Sequence, residues 1–93
     1  PKYAIWAMMK NKEPDLFIKQ FKGIFKKIIT MPIENEKNCM SAITLKTIAK
    51  KNQFNVDKAN NFSEAIKKIT SKNEKLIICL GSLYNLGNIL NKN

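Results

Sequence analysis

Lys75-Leu76-Ile77-Ile78-Cys79-Leu80-Gly81-Ser82 is the stretch on which the fold turns. An unbroken apolar run bounded by a lysine and a glycine is too short for a buried helix. It reads as a strand covered on both faces, because a strand with one wet face would alternate apolar and polar side chains. Helices packed on either side of a parallel sheet supply that cover, so the run predicts a central, buried strand at 76–80. Gly81-Ser82 then turns the chain into a last helix whose apolar face is Leu83, Leu86, Ile89 and Leu90.

Upstream, the same change of period repeats. Tyr3 to Met9 is short, apolar and partly aromatic or β-branched, which predicts a first strand. Lys10-Asn11-Lys12-Glu13 interrupts it, and Pro14 with Asp15 suits the first turn of a helix. Leu16, Phe17, Gln20, Phe21 and Ile24 follow at helical spacing, with Gly23 placed to stop the helix. Phe17, Phe21 and Phe25 read as core side chains, not as platforms for nucleic-acid bases. Phe25 to Ile29 predicts a second strand ending at Thr30-Met31-Pro32, and a polar loop, Ile33 to Asn38, follows it. Ser41 is placed as N-cap of a second helix with Ala42, Leu45, Ile48 and Ala49 on one face and Lys50-Lys51 at its end. Gln53 to Val56 predicts a short third strand, and Ser63, Ile66 and Ile69 a short third helix.

Four strands alternating with helices predict an α/β domain, Rossmann-like and in three α/β/α layers, with a mainly parallel sheet of about four strands. In that architecture all the strand-to-helix loops gather at the carboxyl edge of the sheet, where open α/β folds hold their ligands.

Composition bounds the function. The chain has 93 residues, 44% hydrophobic and 26% charged, as expected of one folded domain or part of one. Its longest apolar run is far below the roughly 20 residues that span a bilayer, so no membrane segment is expected. The net charge of +10 comes from seventeen basic residues that are all lysine, with no arginine and no histidine. Missing guanidinium forks argue against a specific nucleic-acid reader. The chain is also rich in Asn and Ile, so an A/T-rich codon bias accounts for such a profile; a basic surface facing an anionic ligand is the other source. Without histidine, Ser-His and Cys-His catalysis are excluded within the chain, and Cys39 and Cys79 alone make neither a zinc site nor a disulfide framework. A reduced, cytoplasmic setting is expected. Pro1 runs straight into the first strand, which predicts a piece of a longer protein and no signal peptide.

No phosphate loop of the Gly-x-x-x-x-Gly-Lys-Ser/Thr type is present, nor a Gly-x-Gly-x-x-Gly, and no acidic pair ends a strand. No catalytic residue and no metal ligand set is therefore assigned. The positive signal is Gly81-Ser82 between the apolar strand and the last helix. Gly81 permits a sharp turn, and the Ser82 hydroxyl would join the free N–H groups of Leu83 and Tyr84 in a seat for a carboxylate or phosphate. The same dipeptide is also an ordinary turn and helix cap. Lys10, Asn11 and Lys12 form a second loop at the same edge, readable as ligand-facing or as a solvated turn. A small flavodoxin- or receiver-like module and a basic α/β module binding anions or nucleic acid remain as alternatives.

Gly81-Ser82-Leu83-Tyr84-Asn85-Leu86-Gly87, after an apolar strand and close to the last residue, resembles the closing motif of the folylpolyglutamate synthase/dihydrofolate synthase family, a branch of the Mur ligase group. Ala7-Met8-Met9-Lys10-Asn11-Lys12-Glu13 is similar to the family's Gly/Ala-x-Leu-x-Asp-Lys-Asp segment, and Thr30-Met31-Pro32 falls where Thr-Pro-Pro is common. The chain departs from the family at Asn11, Glu13, Asn85 and Asn88. The resemblance implies that residues 1–93 are a partial C-terminal domain, lacking its first strand and the N-terminal ATP-binding domain. It implies a parent enzyme that joins glutamate to folate or dihydropteroate at the expense of ATP, with magnesium and most ATP contacts on the missing domain. Gly81, Ser82, Leu83 and Tyr84 would hold the glutamate carboxylate, with Lys12, Asn11 and Lys10 near the ATP and glutamate. The fragment itself is expected to bind no cofactor, to be inactive alone and, with a sheet edge or apolar strip left uncovered, to self-associate or to be marginally stable.

Overall fold

The computed structural model describes residues 1–69 and 75–81. In chain order these form β1 (Lys2–Ala7), α1 (Pro14–Lys19), β2 (Lys27–Thr30), α2 (Ala42–Lys51), β3 (Val56–Lys58), α3 (Phe62–Lys68) and β4 (Leu76–Gly81). The expected last helix, with Ser82, Leu83 and Tyr84, lies outside the described residues.

Local chemistry explains the helix boundaries. Pro14 opens α1, where its missing N–H leaves nothing unpaired, and Asp15 sits in the first turn. α1 stops at Lys19, and the chain continues through tight turns to Gly23, whose φ of +81° needs glycine although the space around it is open. Ser41 caps α2 by accepting the Thr44 N–H at 3.1 Å. Asn61 caps α3 by accepting the Glu64 N–H at 2.8 Å.

Every strand pair is parallel, and the sheet order is β3-β2-β1-β4. The chain therefore builds outward from β1 to β2 and β3, then returns to place β4 on the other side of β1. α1 and α2 pack on one face with Trp6, Ile18, Ile28, Leu45 and Phe54. α3 packs on the other with Ile5, Ile29, Met31, Ala65 and Ile69. The crossover that reverses direction thus uses the opposite face, as right-handed connections require. Trp6 is fully buried and stacks on Phe17 at 6.3 Å, and Phe21 and Phe25 extend the row at 5.2 and 5.8 Å. The phenylalanines are core, as their spacing predicts.

Three expectations shift. β2 begins at Lys27, because Phe25 belongs to the aromatic row under α1. β3 is Val56–Lys58 and not Gln53 to Val56, since Gln53 has a φ of +68° at the end of α2 and Phe54 drops into the core. The 76–80 strand is not central: among the described residues β4 pairs with β1 alone. Leu76 is 53% exposed and Leu80 is 7% exposed, so β4 is buried only toward its carboxyl end. β1 and β2 occupy the centre instead. Among the described residues no helix is long and apolar enough to cross a membrane.

Candidate functional site

A parallel sheet that grows in one direction from β1 and then resumes on its other side has its topological switch point between β1 and β4. The chain leaves β1 toward β2 and reaches β4 from β3, and open α/β folds hold their ligands at the carboxyl ends of strands so arranged. Ala7 and Gly81 are register partners at that point. Gly81 has a φ of +92°, and a Cβ built on it would lie 2.0 Å from the Ala7 carbonyl oxygen. Backbone conformation and backbone packing thus both demand glycine. The indole Cδ1 of Trp6 borders the same spot, 3.2 Å from the position of that Cβ. Trp6 Nε1 is buried and has no acceptor among the described residues.

The loop after β1 is held from beneath. Met9 and Cys39 form an antiparallel bridge, Met40 N–H donates to the Met8 carbonyl at 2.8 Å, and Lys10 N–H donates to the Asn38 carbonyl at 2.7 Å. Lys12 N–H closes the turn on the Met9 carbonyl at 3.2 Å. Lys10, Asn11 and Lys12 are consequently exposed side chains on an anchored backbone at the carboxyl edge, the edge to which Gly81 also belongs. The structure therefore places Lys10–Lys12 and Gly81 at one edge of the sheet, with the Lys10 loop bonded to Asn38 and Met40 of the β2–α2 loop; Ser82, Leu83 and Tyr84 fall outside the described residues.

Several residues have supporting roles that no local sequence pattern announces. Thr30 is fully buried at the end of β2, and its hydroxyl donates to the Ala42 carbonyl at 2.7 Å. The Asp57 carbonyl lies 3.5 Å from the same oxygen, but one proton serves one acceptor and the shorter contact takes it. Cys39 Sγ accepts the Ile33 N–H at 3.3 Å and faces the Ile33 carbonyl at 3.7 Å, pinning the long β2–α2 loop. All four methionines, Met8, Met9, Met31 and Met40, lie in the segments that follow β1 and β2. Only their tertiary pairing, not their spacing, brings them to one edge.

Charge is sorted by the same topology. Lysines close the helices, at Lys19, at Lys50-Lys51 and at Lys67-Lys68, where they complement the negative helix ends. Others open strands, at Lys2 and Lys27. Helix ends and strand starts both face the amino edge, so the basic surface gathers opposite the switch point. In the carboxyl-edge loops Lys10, Lys12 and Lys37 are interleaved with Glu13, Glu34 and Glu36.

Asp15 is held below the usual aspartate range by a hydrogen bond from the Asn52 amide at 2.9 Å and by Lys19 at 2.9 Å, with Lys51 at 3.9 Å. Asp57 is lowered chiefly by the Lys58 N–H at 2.7 Å, with help from Lys68 at 3.5 Å. Burial pushes the Cys79 thiol up, which disfavours the reactive thiolate. Among the described residues no three His, Cys, Asp or Glu side chains converge as metal ligands would.

The sequence matches no family model and no curated protein. The fold, in contrast, is similar to that of two solved structures of Mycobacterium tuberculosis folylpolyglutamate synthase, one complexed with ADP and AMPPCP and the other with ADP. In each case the TM-score is 0.81 at 14% identity, over 98% of this chain and 23% of the enzyme chain. The chain therefore spans about a quarter of the length of the proteins whose fold it shares, and identity at this level establishes the shared fold alone.

Proposed function

We propose that the chain is a C-terminal α/β domain, in the main, of an ATP-dependent ligase that joins glutamate to the carboxylate of folate or dihydropteroate. The observation that carries this reading is the pairing of Ala7 with Gly81 at the carboxyl ends of β1 and β4, the residues that open two family-like segments. The two are about seventy residues apart in sequence and register partners in the sheet. The nucleotide-bound enzyme with the same fold supports the reading, with ATP as the parent's energy source.

On this reading ATP phosphorylates the acceptor carboxylate, and the glutamate amine displaces phosphate from the acyl phosphate to leave an amide. Mg²⁺ and most ATP contacts belong to an ATP-binding domain outside these residues, and the whole protein works in the cytoplasm. The task of this chain is to close the cleft and fix the incoming glutamate. Ser82 with the Leu83 and Tyr84 N–H groups would accept its carboxylate, Lys12 would add a cation from the anchored loop, and Lys10 and Asn11 would border the nucleotide.

The test is Ser82→Ala in the full-length protein that carries this chain, assayed for glutamate-dependent ADP release with folate or dihydropteroate. A hydrogen bond to a charged group contributes about 1.5–3 kcal/mol, so the glutamate KM should rise roughly 10- to 100-fold while the ATP KM stays nearly constant. A variant that loses about 1 kcal/mol of stability yet keeps its glutamate KM would make Ser82 a helix cap and nothing more.

A further inference from the structure

A cavity of about 420 Å³ lies between the C-terminal ends of α1 and α2, lined by Lys19, Lys22, Lys51, Asn52, Gln53 and Phe54. It belongs to the basic amino edge and lies away from the switch point. We propose that it binds a small phosphorylated anion carrying at least two negative charges, at a site independent of the ligase reading.

Four observations carry the proposal. The volume is within the roughly 300–1,000 Å³ of small-molecule sites and exceeds what a lone phosphate needs. Three ammonium groups line it against one carboxylate: Asp15 binds Lys19 at 2.9 Å and lies 3.9 Å from Lys51, while Lys22 pairs with no carboxylate among the described residues. Lysine is a point-charge phosphate binder, so the absence of guanidinium forks is no obstacle to this ligand class. The carbonyls that close α2 are already occupied by backbone donors: Asn52 N–H bonds Ile48 and Ala49, Gln53 N–H bonds Lys50, and Phe54 N–H bonds Ala49. An anion there meets the three ammonium groups and the Gln53 side-chain amide, while those carbonyls and the Asn52 amide are turned to their own partners. The left-handed Gln53 and the buried Phe54 add a polar and an apolar wall, which fits a phosphate ester with an uncharged part.

A compact basin also separates this reading from non-specific attraction by the +10 charge, which would spread along the whole basic amino edge. The experiment titrates the 93-residue chain with inorganic tripolyphosphate and follows backbone amide NMR shifts. Saturable shifts centred on Lys22, Lys51, Asn52 and Gln53 are expected. The triple change Lys19→Gln, Lys22→Gln, Lys51→Gln should weaken binding by about tenfold or more, and Lys22→Gln alone, which disturbs no ion pair, by about threefold. The charge-matched control Lys2→Gln, Lys37→Gln, Lys67→Gln, at three exposed lysines that do not line the cavity, should change it by less than about twofold. If the triple variant does not fold, Lys22→Gln against the control decides. Equal losses in the two sets, shifts centred on the carboxyl edge, or no saturation by about 10 mM would overturn the proposal.

Discussion

Gly81 is where the smallest change has the largest reach. A side chain there would meet the Ala7 carbonyl at the central pairing of the switch point, from a backbone conformation that L-residues rarely adopt. Gly81→Ala should lower stability by about 2–4 kcal/mol, read by urea denaturation of this chain. A loss of only a few tenths would mean that β4 relaxes away from β1 without penalty. Thr30 makes a different kind of contribution. Its hydroxyl gives the first carbonyl of α2 a second donor beside the N–H one helical turn on, so Thr30→Val keeps the shape and removes one buried hydrogen bond. A cost of about 0.5–1.5 kcal/mol is expected in the same measurement. Gly81 was visible in the sequence, as a glycine between an apolar run and a serine. Thr30 was visible only as part of a family-like tripeptide, because nothing local tells a buried threonine with an acceptor from an exposed one.

At the scale of elements, the alternation of strands and helices was legible because apolar runs and helical spacing differ in period. The limits of β3 were not. Val56–Lys58 pairs with β2 as a short edge strand, while the more apolar Phe54 anchors the end of α2. The central placement expected for β4 failed for a related reason. Side-chain cover concerns the two faces of a sheet, whereas edge position concerns the hydrogen-bonding direction, and an apolar run reports only the first. β3 guards its edge with charge: Asp57 receives the Lys58 N–H and lies 3.5 Å from Lys68 of α3 and 3.9 Å from Lys46 of α2. The folded state lowers the Asp57 pKa, so its contribution is full above the unfolded aspartate value and is lost as pH falls through the lower, folded value. Asp15 acts with the same sign. Stability should therefore decline below about pH 4, and Asp57→Asn should converge on the wild type there while lying below it at pH 7. Melting curves across that range check this, and parallel curves at every pH would remove Asp57 from the account.

For the whole molecule, the two edges of the sheet are unlike. β3 carries Asp57 and Lys58, whereas β4 offers Leu76, Ile77, Ile78 and Cys79 beside a single neighbour among the described residues. Open apolar edges recruit strands from other molecules. Light scattering should find concentration-dependent association of this chain, and Ile78→Lys on β4 should suppress it. A monomer at high concentration with a cooperative melt would show that edge to be covered. The candidate site was half legible: the segments that follow Ala7 and Gly81 were singled out by their motifs, but the pairing of Ala7 with Gly81 depends on strand order, which no local pattern encodes.

That strand order also sets a sequence of events in time. A chain made from its amino end completes β1, β2 and β3 before the residues of β4 exist, so β1, the strand that ends at the candidate site, waits with one side unpaired. The partner it waits for is distant in sequence, and contacts of that kind form slowly. During synthesis the strand that ends most buried is thus the most vulnerable, and a chaperone that recognises extended apolar segments would find Tyr3–Ala7 accessible until Leu76–Gly81 emerges to close the sheet.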